Sequence, residues 1–167
     1  MTQLTVGTAI EKATELLIAA GMDSAKAAIS AHAIVASDRW GIGSHGLMRL
    51  PFYLDRLKAG GINPKAELKK VTDMPGLVIF DGEDGLGHWQ IQHAAQLAAE
   101  RAKVNGIAAV GVGRSSHCGA FWAVYPAARP WAYLPGSHGP RPPVPIDVLR
   151  WPRPPPQTGS ARVRRRP

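Results

Sequence analysis

Eleven of the fifteen prolines in this 167-residue chain fall after residue 128, and that break limits how much of the chain can fold as one body. Runs such as Pro152-Arg153-Pro154-Pro155-Pro156 lack backbone donors and hold φ at about −65°, which favours an extended, solvated chain over helix or strand. Residues 129–167 are therefore expected to form a mostly disordered tail, and residues 1–128 to hold the core. Charge follows the same boundary. The first 128 residues carry twelve basic and eleven acidic side chains, whereas 129–167 carry eight Arg and one acid, Asp147. Seven of the eight formal net positive charges thus sit in the tail, and the nearly neutral part able to fold lacks the basic excess of a nucleic-acid-binding domain. A lone cysteine, Cys118, excludes an internal disulfide and a Cys-based zinc cage, and favours a reducing compartment. No charged segment followed by an apolar stretch opens the chain, and no run approaches the roughly 18 apolar residues of a membrane-spanning helix. A soluble, cytoplasmic protein is expected.

Within residues 1–128 the apolar periodicity predicts helices first. Val6–Ala20 repeats at helical spacing and stops at Gly21, and Asp23 or Ser24 caps a second helix running to about Trp40. A third helical pattern follows Ser44 through Leu47, Leu50, Tyr53, Leu54 and Leu57 and ends at Gly60-Gly61, with Pro51 near its first turn, where a missing N–H costs little. The period then changes. Leu68–Thr72 and Leu77–Asp81 read as strands of a hairpin around Met74-Pro75-Gly76. Gly82, Gly85 and Gly87 lead as a loop into a long helix, His88–Asn105, closed by Gly106, and Ile107–Val112 reads as a buried strand.

Two short segments each place a histidine between hydroxyl and glycine neighbours, Ser44-His45-Gly46 and Ser115-Ser116-His117-Cys118-Gly119. Glycine permits close approach, and imidazole is the side chain best suited to exchange a proton near neutral pH. On spacing alone the plainer reading leads, with His45 a capping or packing residue and His117 a structural loop residue. Arg49, four residues after His45, equally reads as a solvated helix charge. The glycines of Gly82–Gly87 are spaced GxxGxG, which is not a Rossmann fingerprint. His88 and His93 stand five apart, off the face that shared metal ligation prefers, so no metal is expected, and no second signature supports Cys118 as a nucleophile.

Four blocks in order, Ser44-His45-Gly46-Leu47-Met48-Arg49-Leu50-Pro51, Gly60-Gly61-Ile62-Asn63-Pro64, Asp81-Gly82 with Gly85-Leu86-Gly87, and Arg114–Ala120, resemble the NAD(P)-dependent malate/L-lactate/sulfolactate/ureidoglycolate dehydrogenase family, which is distinct from the Rossmann-fold lactate dehydrogenases. The resemblance runs from about residue 5 to residue 128. It implies an α/β fold in which an N-terminal helical region (1–66) precedes part of a mixed β-sheet with flanking helices in a partial nucleotide-binding domain (67–128). It also implies an oxidoreductase passing hydride between NAD or NADP and a 2-hydroxy or 2-keto acid. His117 falls at the family's acid/base position, and Ser44, His45 and Arg49 would bind the substrate carboxylate, Arg49 bidentately from the helical face it shares with His45. A homodimer is implied for the complete family, and cofactor-binding residues stay unassigned.

The tail departs from the family at Arg129-Pro130-Trp131, where family members continue with apolar strand segments. A burst of Arg and Pro is what out-of-frame reading of a GC-rich gene yields, so a frameshift near 128 and a truncated, inactive copy are expected. The competing reading from another class is a nucleic-acid-binding protein using Arg162-Val163-Arg164-Arg165-Arg166 with Trp131 and Trp151 as stacking residues.

Overall fold

A computed structural model describes residues 4–120; the expected disordered tail lies outside them. They form four α-helices and three strands in the order α1 (Val6–Ala19), α2 (Ser24–Arg39), two 3₁₀ turns (Gly43–His45 and Leu47–Arg49), α3 (Leu50–Lys58), β1 (Lys69–Met74), β2 (Leu77–Gly85), α4 (Gly87–Asn105) and β3 (Ala109–Ser115). Capping explains the starts. The Thr5 side chain accepts from the Thr8 amide, and the Asp23 carboxylate accepts from the amides of Ala25 and Lys26, so orphan N–H groups of both first turns are satisfied. Those bonds hold the Asp23 carboxyl below its ordinary range, that from Lys26 most of all.

β1 pairs antiparallel with β2 around Pro75-Gly76, and β2 pairs parallel with β3, with α4 as the crossover, so the sheet is mixed, in the order β1-β2-β3. Its register slips between Asp81 and Gly85, where β2 bulges. Glu83 and Asp84 take left-handed backbone there (φ 49° and 57°), and Arg114 opposite takes φ 46°. The bulge is held from outside, because Arg114 donates to both oxygens of Asp81 at 2.9 and 2.8 Å and Lys69 pairs with Glu83. The expected loop Gly82–Gly87 is thus strand as far as Gly85, because left-handed non-glycine residues let the pairing continue around a kink. β3 also differs from expectation. Ala109–Val112 are half-buried rather than buried, and Ile107 is exposed.

The core lies among the helices. Leu17, Ile34, Tyr53, Leu57 and Ile62 pack with Leu86 and Trp89 from the start of α4, which bolts the sheet side of the molecule to the helical side. Burying each large apolar side chain contributes about 1.5–3 kcal/mol, so this cluster is the main source of rigidity beneath the segments that carry the histidines.

Candidate functional site

Four elements converge on the His117 imidazole. His117 follows β3, whose end is tied to the bulge by the Ser116 amide donating to the Gly85 carbonyl at 3.0 Å and by the Ser116 hydroxyl accepting from the Gly87 amide at 3.2 Å. The Tyr53 hydroxyl, from α3, lies 2.8 Å from His117 Nδ1, and the Gly119 amide donates to the same nitrogen at 3.2 Å. His45, from the first 3₁₀ turn, stacks on His117 with ring centroids 5.4 Å apart and planes 26° from parallel. His88, from the first turn of α4, sits edge-to-face with Tyr53 at 4.9 Å and 6.2 Å from His117.

Ser44, His45 and Arg49 are brought together as the sequence suggests, but not on one helical face. Gly46 adopts an extended backbone (φ −92°, ψ −150°) that breaks the segment into two 3₁₀ turns. Asp38 of α2 holds that break, accepting from the Leu47 amide at 2.7 Å, and a Cβ on Gly46 would run into the same carboxylate. Within the turns the Ser44 hydroxyl lies 2.9 Å from His45 Nδ1, and Arg49 Nε donates to the Ser44 carbonyl at 3.1 Å.

The protonation states follow from burial. Tyr53 is wholly buried, and desolvation pushes its phenol up to about 12, so it keeps its proton at any working pH. His88 is also wholly buried. Desolvation, helped by the neighbouring His117 and His45, pushes it down to about 3, so it stays a neutral ring. Burial pushes the Cys118 thiol up, away from the thiolate that nucleophilic chemistry needs. A hydroxyl both donates and accepts. Tyr53 can therefore donate to an unprotonated Nδ1 or accept from a protonated one, and its bond to His117 survives either state. The Gly119 amide can only donate, so it favours the ring with Nδ1 bare.

Three residues of this arrangement escape a reading of the sequence. Tyr53 counts there only as one apolar position of the α3 pattern, His88 only as an unpaired metal ligand, and Asp38 not at all. Tyr53 carries the best signal in hindsight, since it lies four residues after Arg49 and turns its polar end toward a site 64 residues away. The residues of the nucleic-acid reading, Trp131, Trp151 and Arg162–Arg166, lie outside the described residues.

The sequence model of the family described as Malate/L-lactate dehydrogenase matches residues 5–129. The chain belongs to the malate/L-lactate dehydrogenase family. It is 37% identical over 99 residues to the L-sulfolactate dehydrogenase of Methanocaldococcus jannaschii, covering 59% of this chain and 29% of that one. It is 33% identical over 114 residues to the ureidoglycolate dehydrogenase (NAD(+)) of Escherichia coli K12, covering 68% and 33%. Its fold superimposes on the solved malate dehydrogenase of Pyrococcus horikoshii with a TM-score of 0.67 at 28% identity, over 71% of this chain and 34% of that one. The chain thus spans about a third of the length of these malate/L-lactate dehydrogenase relatives. The α/β fold with a mixed sheet is the expected one. Names within the family specify NAD(+) in one case and NADP(+) in another.

Gly82 and Gly85 do not form a cradle for a dinucleotide. The glycine-rich run bulges out of register in β2 and pairs again only at Gly85, and a Cβ on Gly82 or Gly85 would strike Gln90, so these two glycines serve contacts inside the protein. No group of three or more metal-ligating side chains with suitable geometry occurs among the described residues, and no helix there is long and apolar enough to cross a membrane.

Proposed function

We propose that this chain supplies the hydroxy-acid side of a site in which hydride passes between NAD(P) and a 2-hydroxy or 2-keto acid. The observation that carries this reading is the convergence of His45 and Tyr53 on His117, a 3₁₀ turn and a buried phenol meeting one imidazole. Its components follow the sequence assignment, with His117 as the acid/base and Ser44, His45 and Arg49 as ligands of the substrate carboxylate. The division into a helical segment (1–66) and a sheet segment (67–128) belongs to the same reading, as do a homodimer and a cytoplasmic setting.

The protein's own part is binding and proton transfer. Arg49 already uses Nε on the Ser44 carbonyl, so its terminal N–H groups meet the carboxylate, while the Ser44 hydroxyl and His45 add hydrogen bonds. To take the substrate hydroxyl proton on Nε2, His117 carries its own proton on Nδ1, a tautomer in which the Tyr53 oxygen accepts from Nδ1–H and the Gly119 amide bond is given up. The imidazolium that forms keeps that Nδ1–H bond to Tyr53. In keto-acid reduction Nε2 returns the proton to the carbonyl oxygen. Tyr53 thus orients the ring in both directions without changing its own protonation.

The test is NAD(P)H oxidation by the full chain with pyruvate, oxaloacetate, 2-oxoglutarate and sulfopyruvate, run beside His117→Ala, together with binding of the same acids followed by NMR. Saturable binding weakened at least tenfold by Arg49→Ala, and any turnover abolished by His117→Ala, are expected. Binding indifferent to Arg49, or turnover indifferent to His117, overturns the reading.

A further inference from the structure

The proton and anion chemistry above makes no use of His88, yet at His88 the structure departs from what stability alone favours. The ring is wholly buried, and neither Nδ1 nor Nε2 has a hydrogen-bond partner among the described residues. A phenylalanine fills such a place without stranding a donor and an acceptor. The surroundings are those of the site itself. Tyr53 meets the ring edge-to-face at 4.9 Å, and the His117 centroid is 6.2 Å away. Gly119, two residues beyond His117 and at φ +75°, presses so closely that a Cβ there would come 2.6 Å from His88 Nε2. The loop carrying His117 can lie against this ring because that position is glycine.

We propose that His88 is a positioning residue of this site: its imidazole is the polar floor against which the Tyr53 ring and the His117 loop are set, and its unmatched ring nitrogens gain their partner when a small 2-hydroxy or 2-keto acid, with the water it brings, fills the site. The ligand half of this inference rests on the function proposed above; the positioning half does not. A neutral ring serves the purpose, since it offers one donor and one acceptor at every working pH and adds no charge beside His45 and His117. An apolar ring would pack as well but leave the bound acid nothing to bond.

NMR of the imidazole nitrogens in the full chain, titrated from about pH 5 to 9 with and without pyruvate, tests both halves. The rings facing His117 are His45 of the first 3₁₀ turn, Tyr53 of α3 and His88 of α4, while Arg49 of the second turn and Cys118 of its own loop act on the adjoining Tyr53. In the wild type, His88 keeps the signals of a neutral ring throughout, and pyruvate shifts them. His88→Phe melts no lower than wild type, yet moves the His117 midpoint by about half a pH unit or more and weakens pyruvate binding about tenfold. His88→Gln, which keeps a donor and an acceptor, recovers most of that binding. If His88→Phe leaves the His117 midpoint and pyruvate affinity unchanged, or if wild-type His88 titrates within the range, the proposal is wrong. Should His88→Phe not fold, the wild-type His88 signals and His88→Gln decide. Failure of pyruvate to bind the wild type removes the ligand half together with the proposed function, while the His117 midpoint still decides the positioning half.

Discussion

Tyr53 is the residue on which the arrangement of the site turns. It is buried on every side, so packing fixes its ring, and its hydroxyl spends its hydrogen bond on His117 Nδ1. Tyr53→Phe preserves the shape and removes that bond. The expected cost is about 1 kcal/mol in global stability, because a neutral hydrogen bond contributes about that much net and the phenol oxygen leaves no large cavity. The larger effect falls on His117, whose ring loses the partner that follows it through both protonation states. Binding of a 2-keto acid should weaken about tenfold, a change that calorimetry on the two proteins measures directly. Undiminished binding in Tyr53→Phe would show that Gly119 alone orients the imidazole.

At the scale of elements, the two 3₁₀ turns depend on a single carboxylate. Asp38 projects from α2, accepts from the Leu47 amide and lies against the Cα of Gly46, so it both satisfies and shapes the turn that presents Ser44, His45 and Arg49. Asp38→Ala should cost about 1–3 kcal/mol, since a bond to a charged acceptor is lost and an amide is left unpaired. Ligand affinity should fall while α1 and α4 keep their amide-exchange protection; loss of protection throughout the molecule would instead make Asp38 a general core residue. Local chemistry made most of the elements legible in the sequence. Asp23 caps α2, Pro51 sits in the first turn of α3, Pro75-Gly76 turns the hairpin, and Gly106 with φ 79° closes α4. What escaped reading has one physical character: it depends on contacts distant in sequence or on backbone that no residue type announces. Nothing in Gly82-Glu83-Asp84-Gly85 signals two left-handed acidic residues, because the ion pairs of Glu83 with Lys69 and of Asp84 with Arg114 hold them there. Likewise the break at Gly46 depends on a carboxylate eight residues earlier, and the pairing of Tyr53 with His117 exists only once α3 and β3 are folded side by side.

For the whole molecule these groups add up to a stability curve with a plateau and two unlike edges. On the acid side His88 titrates near 6.5 when unfolded and at about 3 when folded, so the unfolded chain takes up a proton that the folded one refuses. Stability should therefore fall as pH drops from about 6.5 toward 3. Asp23, Asp73, Asp81 and Glu83 add to this further down, because hydrogen bonds hold their carboxyls below the ordinary 3.8 or 4.5, and their contribution is lost as pH falls through that range. On the alkaline side Tyr53 is raised from 10.0 to about 12 by burial, and Lys12 and Lys69 are raised from 10.5, first by their hydrogen bonds to Glu15 and Glu83, so stability present below about pH 10 is lost as pH rises through those shifted values. The two acid contributions separate by mechanism. Desolvation of His88 is indifferent to salt, whereas the exposed pairs of Asp73 and Asp81 are screened by it. Urea midpoints measured against pH should show a fall beginning near 6.5 that high salt leaves in place and His88→Phe abolishes, above a second fall that high salt flattens and His88→Phe leaves alone. A single carboxylate-like fall, the same in both proteins, would mean that the folded chain admits the proton at His88, and hence that the floor of the site is open to water.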